Sequence, residues 1–123
     1  MLKKCSHCGR VLLVTQFAQK SSMCRTCRRD YDWQYRYGIS PEQYQELWNK
    51  QEGRCKICGT KLPEGEYLSI DHDKETGEIR GLLCKNCNLG LGSFKDSPEN
   101  LRKAAAYIEE LQKELKEKLE EIE

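Results

Sequence analysis

Eight cysteines, arranged as four Cys-x-x-Cys pairs, constrain this chain of 123 residues more than any other feature. Two intervening residues allow two thiolates to bend round one metal ion at about 2.3 Å, as in a structural zinc knuckle. Four disulfides in a secreted protein are the alternative. The opening segment MLKKCSHCGR carries charge but lacks the apolar run of a signal peptide. We therefore expect zinc and a reducing compartment.

Pairing the knuckles in sequence order gives two four-cysteine zinc sites. The predicted ligands are Cys5, Cys8, Cys24 and Cys27 in the first site, and Cys55, Cys58, Cys84 and Cys87 in the second. The knuckles are separated by 15 residues in the first site and by 25 in the second. An interleaved pairing is the alternative, and it is disfavoured because it closes longer loops. His7 is expected at the surface, because four cysteines already complete a tetrahedral site.

Composition limits the size of the core. The chain is 37% hydrophobic and contains only two Phe and two Trp, so it suits one domain or two very small ones. We divide it into three parts. Residues 1–38 form an N-terminal four-cysteine zinc module with a basic, aromatic helix, residues 39–96 form a core with the second zinc site, and residues 97–123 form a C-terminal helix.

Charge is distributed unevenly along the chain. Residues 1–37 contain eight Lys or Arg against two Asp, a net formal charge of +6, whereas residues 109–123 carry −4. The basic end is a candidate phosphate-binding face. Its candidate DNA contacts are Arg25, Arg28, Arg29 and Arg36. The aromatic residues interleaved with these arginines suit stacking on bases, and they suit core packing equally well.

Local signals predict the secondary structure. A short strand is expected over Val11 to Val14, and the basic helix should end at Gly38. The next helix has Ser40 as its N-cap, Pro41 at its first position and Gln43 in a capping box, with Gly53 as its stop. The segment from Tyr67 to Cys84 predicts a hairpin that turns around Gly77. A short helix is expected after Cys87, although its two glycines weaken it.

A long helix is predicted from Ser97 onwards. Its apolar residues recur at helical spacing: Leu101, Ala104, Ala105, Ile108, Leu111, Leu115, Leu119 and Ile122. We expect its first half to cover the zinc core. Its second half is either a solvated tail or a helix for a partner, because the heptad-like repeat is short.

The second half of the chain combines a knuckle, a hairpin with Asp-His, a knuckle followed by Asn, and a helix. The segments are CKIC, IDHDKETGEIRGLLCKNCNLGLGSF and SPENLRKAAAYIEEL. This pattern resembles the phage recombination endonuclease VII group of the HNH, or ββα-metal, nucleases. The resemblance covers roughly Tyr44 to Leu111, and its motifs occur together in register. It implies a small, zinc-stabilised α+β fold with a ββα-metal (HNH) core.

The resemblance also implies roles for three residues. Asp71 and Asn88 would hold one catalytic Mg²⁺ or Mn²⁺, and His72 would be the general base. Hard divalent ions prefer oxygen ligands, and a carboxylate with an amide leaves positions for water and phosphate. A histidine side chain can accept a proton at neutral pH. Cleavage would leave 5′-phosphate and 3′-hydroxyl ends, as in that family.

Strand alternation alone does not lead to this assignment. Neighbouring residues of a regular strand point to opposite faces, which would pair Asp71 with Asp73 and group His72 with Leu68 and Ile70. On that pattern His72 is a half-buried structural histidine. Asn88 has a structural alternative too, as a knuckle residue or helix cap.

Two departures from the family pattern concern the same stretch. Lys74 stands where a second histidine is common, and it can contact a phosphate but cannot ligate a metal while protonated. The segment EIRGLL replaces the central asparagine of the wider HNH pattern, as is usual in the endonuclease VII branch. Arg80 either clamps a DNA phosphate or pairs with Glu78 or another nearby acid.

The sequence thus predicts a metal-dependent HNH DNA endonuclease with two structural Zn²⁺ ions and one catalytic Mg²⁺ or Mn²⁺. Branched DNA, including Holliday junctions, is a notable substrate class of the resembled family. We expect DNA as the partner, no membrane, a cytoplasmic location in a bacterial or phage-infected cell, and a candidate homodimer through the C-terminal helix. The alternatives are a non-catalytic zinc module that binds DNA or protein, and an adaptor built on the terminal helix.

Overall fold

The computed structural model describes residues 1–122. Within that range the chain is a small α+β protein with two separate two-stranded antiparallel sheets and four α-helices. The elements are β1 (Leu2–Lys4), β2 (Val11–Leu13), a 3₁₀ turn (Val14–Gln16), α1 (Arg25–Tyr37), α2 (Pro41–Lys50), β3 (Ser69–His72), β4 (Ile79–Leu83), α3 (Lys85–Ser93) and α4 (Pro98–Ile122).

The N-terminal four-cysteine module consists of the β1–β2 hairpin, the loop that follows it and the start of α1. Its core consists of Cys5, Phe17, Cys24 and Cys27, with Leu12 and Met23 packed against them. The strand predicted over Val11 to Val14 is present as β2, one residue shorter. Because Phe17 is the only large side chain among these four core residues, apolar burial contributes little here.

Helix α1 connects this module to a second core. Cys27, near its start, belongs to the first core, whereas Trp33 and Tyr37 pack against the second. The helix ends at Tyr37, and Gly38, the predicted stop, is its C-cap with a left-handed φ of 64°. The proposed domain boundary at residue 38 therefore follows a helix shared between two cores, and it stays a prediction.

Helix α2 begins with the predicted capping box. The Ser40 hydroxyl accepts a hydrogen bond from the Gln43 N–H at 3.1 Å, and the Gln43 side chain accepts one from the Ser40 N–H at 2.8 Å. The helix ends at Lys50, before the predicted stop. Gly53 completes the turn at a φ of 69°, where a Cβ would lie 3.1 Å from the Trp48 ring.

The second core lies between α2, the β3–β4 hairpin and α3. Its buried residues are Ile39, Tyr44, Cys55, Leu68, Ile70, Leu82, Leu83 and Cys84. The Tyr44 hydroxyl donates to the Leu68 carbonyl at 2.7 Å, and the Trp33 ring stacks on Tyr44 at 4.1 Å between centroids. The Gln51 side chain bonds both backbone groups of Leu82 and thereby ties the end of α2 to β4.

The β3–β4 hairpin lies inside the predicted segment, with shorter strands. Its turn is closed by Asp73, whose carboxylate accepts from the N–H groups of Glu75 and Thr76 at 2.9 and 3.0 Å. Gly77 has a φ of 77°, consistent with the predicted turn. The turn thus supports the strand that carries Asp71 and His72.

The two C-terminal helices differ from expectation. Helix α3 begins at Lys85, before Cys87 rather than after it, with Cys84 as its N-cap. The prediction that the first half of α4 covers the core is wrong, because α4 has no buried residue and only Leu101 and Ala104 are half-buried. Across residues 1–122, no helix is both long and apolar enough to cross a membrane.

Candidate active site

Two clusters of four cysteines confirm pairing in sequence order. Cys5, Cys8, Cys24 and Cys27 form one cluster and Cys55, Cys58, Cys84 and Cys87 the other, with the sulfur atoms of each within 4.8 Å of one another. All eight cysteines lie in the described residues and none forms a disulfide. The interleaved alternative is therefore wrong. His7 is exposed and belongs to neither cluster, as expected.

The sulfur geometry fits zinc. A tetrahedral ion at about 2.3 Å from each ligand places the sulfurs about 3.8 Å apart, and Cys58 Sγ lies 3.7 Å from Cys84 Sγ. Backbone N–H groups of Cys8 and Cys24 donate to Cys5 Sγ at 3.5 and 3.3 Å. These donors lower the pKa of Cys5 to about 5, which favours the thiolate that zinc requires.

Asp71 and His72 are neighbours in β3, and both line one cavity of about 170 Å³. Asp71 pairs with Gly81, but His72 pairs with Ile79, so Arg80 is an extra residue in β4. This bulge breaks the regular register of the hairpin beside the two residues. Strict alternation would have paired Asp71 with Asp73, whereas the cavity is lined by Asp71 together with His72.

Asn88 reaches the same cavity from α3. It lies one turn after Cys84, and its N–H donates to the Cys84 carbonyl at 3.0 Å. Because Cys84 is the N-cap, Asn88 is not the helix cap. The cysteine cluster therefore anchors the first turn of α3 beside the hairpin, so that Asn88 lines the cavity with Asp71 and His72.

Arg80 bonds the candidate metal ligand. Its Nε and Nη2 donate to the two carboxylate oxygens of Asp71, both at 2.9 Å, and Nη2 also donates to Asp96 at 3.3 Å. The bonds to Asp71 raise the pKa of Arg80 further. Of the two expectations for Arg80, the pairing with an acid is observed, and its partners are Asp71 and Asp96 rather than Glu78.

Tyr37 packs beside His72. Their ring centroids lie 5.1 Å apart with the planes inclined at 51°. The tyrosine is the last residue of α1, so the basic helix supplies one wall of the cavity. His72 is half-buried, with Lys74 lining the same space. A half-buried imidazole at a cavity wall can meet a ligand, whereas one sealed in the core cannot.

The donor atoms in the cavity suit a hard divalent ion. Asp71, Asn88 and Asp96 bring carboxylate and amide oxygens to one small space, and Mg²⁺ and Mn²⁺ prefer such ligands while keeping several waters. Arg80 occupies one acceptor site on each Asp71 oxygen, so an ion at Asp71 would share this carboxylate with the guanidinium or displace it. Within residues 1–122, the two cysteine clusters are the only groups of three or more Cys, His, Asp or Glu ligands close enough to share an ion.

Sequence reasoning missed Tyr37 and Asp96 as lining residues. Tyr37 belongs to the aromatic run that was considered for DNA contact, but only the packing of α1 against the second core brings it to His72. Asp96 lies in the short segment between α3 and α4, with a left-handed φ of 55°. No local motif in the sequence marks Asp96.

The other candidate DNA contacts lie on α1. Arg25, Arg28, Arg29 and Arg36 line a separate cavity of about 710 Å³. Arg36 pairs with Asp32 at 3.1 Å. Arg29 pairs with Asp30 at 3.0 Å and lies over the rings of Trp33 and Tyr67. Arg29 is thus a packing residue in this structure, and the DNA-binding roles of all four stay predictions.

The hairpin and α3 form a ββα arrangement beside a four-cysteine cluster and a polar cavity, and comparison with known proteins assigns its family. The family model for recombination endonuclease VII matches residues 30–110. The chain belongs to the recombination endonuclease VII family. This membership supports the interpretation of the protein as a nuclease.

Similar proteins come from phages. The Gene 59 protein of Mycobacterium phage L5 is 39% identical over 89 residues, which cover 68% of this chain and 54% of that protein. The Gene 59 protein of Mycobacterium phage D29 is 36% identical over 120 residues, covering 86% and 73%. This chain therefore spans about half the length of the phage L5 relative.

A solved structure is also similar. It is the crystal structure of the beta-beta-alpha-Me type II restriction endonuclease Hpy99I, with 26% identity and a TM-score of 0.43. The match covers 89% of this chain and 66% of that one.

Proposed function

We propose that this protein is a metal-dependent DNA endonuclease of the HNH type, which hydrolyses phosphodiester bonds in the cavity between the β3–β4 hairpin and α3. The observation that carries the proposal is that Asp71, His72 and Asn88 line one small cavity. Membership of the endonuclease VII family supports the same reaction class. A module that only binds DNA has no need for this combination of residues.

Each residue has one proposed task. His72 takes the proton from the attacking water, and the Tyr37 ring limits the orientations of its imidazole. Asp71 and Asn88 hold one Mg²⁺ or Mn²⁺. That ion supplies charge stabilisation for the scissile phosphate and the leaving oxygen. The expected products carry 5′-phosphate and 3′-hydroxyl ends.

Lys74 and Arg80 are the proposed phosphate contacts at this cavity. Arg80 is the better positioned of the two, because its pairs with Asp71 and Asp96 hold the guanidinium at the cavity wall. A guanidinium recognises phosphate through the same planar, two-bond geometry that it uses for a carboxylate. Release of Asp71 would free Arg80 for this contact.

The two cysteine clusters are proposed to hold one structural Zn²⁺ each. The second has a functional consequence, since it fixes α3 against the hairpin and thereby fixes Asn88 relative to Asp71. Loss of this zinc should abolish cleavage even with every catalytic side chain present.

The experiment that tests the nuclease is cleavage of supercoiled plasmid by zinc-loaded protein with Mg²⁺, with Mn²⁺ and with neither. His72→Ala should reduce the rate by about 10²- to 10⁴-fold, the usual contribution of a general base. His7→Ala is the matched control, because His7 is an exposed histidine outside the cavity. Native mass spectrometry should count two zinc ions in each variant. No cleavage by wild-type protein that binds DNA would favour the non-catalytic zinc module instead.

Branched DNA is the proposed substrate, and a dimer would be needed to cut two strands at a junction. Helix α4 offers the means, because its apolar stripe is exposed from Ile108 at 53% to Ile122 at 80%. Sedimentation should detect a dimer that Leu111→Asp with Leu115→Asp removes, whereas Lys113→Asp with Lys116→Asp should weaken it less. A wild-type monomer at high concentration, with and without junction DNA, would contradict the dimer.

The adaptor alternative makes a different prediction for the end of α4. If the protein acts only by presenting this helix to a partner, deletion of residues 112–123 should abolish its function. The nuclease proposal predicts that the deleted protein retains His72-dependent nicking of plasmid, because the cavity residues precede α4.

A further inference from the structure

Helix α1 carries two kinds of aromatic residue. Trp33 and Tyr37 pack against the second core, whereas Tyr31 and Tyr35 are 61% and 81% exposed. The sequence allowed both core packing and stacking on bases for this run of residues. Core packing explains Trp33 and Tyr37 but does not explain Tyr31 and Tyr35. Two large exposed aromatic side chains side by side are typical of a surface that binds something.

The two exposed rings share one orientation. Tyr31 and Tyr35 are four residues apart on α1, their centroids lie 6.3 Å apart, and their planes differ by only 7°. Parallel rings offer planar faces on which another planar group can stack. Every nucleobase has such a face, and aromatic platforms therefore bind single strands with little dependence on sequence.

Two uncompensated cations lie on the same side of the helix. Arg25 and Arg28 line the α1 cavity together with Tyr31, at spacings of three residues. Within residues 1–122, neither arginine has a carboxylate oxygen within 4.0 Å, in contrast to Arg29 and Arg36. Arg25 uses only its Nε in a hydrogen bond, and this atom donates to the Thr15 carbonyl at 3.1 Å. Both guanidiniums can therefore donate hydrogen bonds to a phosphate.

We propose that this face of α1, defined by Arg25, Arg28, Tyr31 and Tyr35, binds an unpaired segment of a DNA strand. The tyrosines stack on its bases and the arginines contact its phosphates. The bases of an intact duplex are already stacked on their neighbours, so the platform selects DNA with unpaired nucleotides. The inference rests on the proposed nuclease and narrows its substrate class to DNA with a single-stranded region near the cleavage point.

Helix α1 is suited to this task because it also reaches the cavity of the candidate active site. Its last residue, Tyr37, contacts His72, only two residues beyond Tyr35. A strand held on the platform is therefore held by the same rigid element that forms one wall of the cavity. This arrangement would couple recognition of an unpaired segment to cleavage beside it.

The test is a binding measurement on the zinc-loaded full chain without added Mg²⁺ or Mn²⁺. The probes are a fluorescein-labelled oligo(dT) and a labelled duplex of equal length, followed by anisotropy. Tyr31→Ala with Tyr35→Ala should weaken oligo(dT) binding by about tenfold or more, with a much smaller effect on the duplex. Tyr107→Ala is the matched control, because Tyr107 is a 68% exposed tyrosine on α4. The double Phe variant should restore binding.

The arginines are tested through salt dependence. Arg28→Gln should reduce the slope of log affinity for oligo(dT) against log salt by about 0.7, the contribution of one phosphate contact on a single strand. Arg102→Gln, an exposed arginine of α4, should leave the slope unchanged. An unchanged slope in Arg28→Gln would remove this arginine from the site.

Three results would overturn the inference. The first is an unchanged oligo(dT) affinity in the folded tyrosine variant with two zinc ions. The second is an equal loss of affinity for oligo(dT) and for the duplex. The third is a double Phe variant that does not restore binding. The nuclease proposal fails separately, by absence of metal-dependent cleavage in wild-type protein. Cleavage with no tyrosine effect rejects only the platform, and selective oligo(dT) binding without cleavage rejects only the nuclease.

Discussion

The two cysteine clusters have the same ligands and different surroundings. Around the N-terminal cluster, only Phe17 joins the cysteines as a fully buried hydrophobic residue. The second cluster contributes two cysteines to a core that also contains Ile39, Tyr44 and four aliphatic residues of the hairpin region. We therefore expect metal binding to supply most of the order in the first region, and to add to an existing core in the second.

This difference has a functional counterpart. The second cluster fixes α3 against the hairpin, and the candidate catalytic residues lie where those elements meet. The cavity that Cys27 of the first cluster lines has none of the candidate catalytic residues among its lining residues, and the contribution of this cluster is the start of α1. One cysteine cluster thus lies beside the candidate catalytic residues, and the other lies at the start of a helix that presents arginines and tyrosines.

The largest expected effect comes from removing one ligand in each region. Structural zinc contributes about 10 kcal/mol or more to the folding of small domains, so Cys5→Ser should abolish amide protection in residues 1–24 while β3 and β4 stay protected. Cys55→Ser should leave the N-terminal module protected and reduce protection across the hairpin without eliminating it. Hydrogen exchange with a zinc count by native mass spectrometry checks both. Loss of protection across the whole chain in Cys5→Ser would show that the regions do not differ in this way.

Apolar truncation should show the opposite asymmetry. Leu82 is fully buried in the second core, so Leu82→Ala should lower the free energy of unfolding by about 2–5 kcal/mol. Leu12 is only half-buried beside the first cluster, and Leu12→Ala should cost about 1 kcal/mol or less. Urea denaturation at saturating zinc measures both. Equal losses of unfolding free energy in the two variants would mean that the first core is better packed than its size suggests.

The comparison also shows what the sequence could predict. The cap of α2 and the hairpin turn depend on residues close together in the chain, and the two cysteine clusters join knuckles that are consecutive in the sequence, so each was predicted from spacing. The cavity was not predictable from local patterns, because its lining comes from α1, the hairpin, α3 and the segment after α3. Only the family resemblance grouped Asp71, His72 and Asn88.

Long-range contacts explain the remaining differences. The bonds of Arg80 to Asp71 and Asp96 join three segments, and no spacing rule selects those partners among the nearby acids. The apolar stripe of α4 predicted a buried helix face, yet every stripe residue from Ile108 onwards is exposed. Periodicity shows that a face is apolar and does not show whether the same chain covers it.

A smaller effect is expected from replacing the glycine that follows the first knuckle of each cluster. Gly9 and Gly59 have φ values of 75° and 73°, each donates to the first cysteine of its knuckle at 3.0 Å, and a Cβ on either would meet no atom within 4 Å. Replacement by Ala therefore adds only backbone strain, about 1 kcal/mol at each position. The same cost should increase the rate of zinc release and the frequency of local opening more in the N-terminal region, because fewer buried apolar residues stabilise that region. Equal increases in zinc exchange would contradict that view.

The smallest expected effect concerns how each hairpin turn is closed. The β1–β2 turn contains a zinc knuckle, whereas the β3–β4 turn depends on the Asp73 carboxylate. Backbone N–H groups of Thr76 and Glu75 lower the pKa of Asp73 below its ordinary value of 3.8. The unfolded chain therefore binds this proton more readily, and the stabilisation is present above the ordinary pKa and is lost as the pH falls through the lowered one.

Acid titration cannot isolate this contribution, because zinc binding requires deprotonated thiolates and also weakens as the pH falls. Asp73→Asn should therefore be measured at pH 7, where it should lower the urea midpoint by less than Gly59→Ala. Glu75→Gln is the control, because its backbone N–H remains and its side chain is exposed. If Asp73→Asn and Glu75→Gln are equally stable, the carboxylate does not close the turn, and strand pairing alone fixes the position of Asp71 and His72.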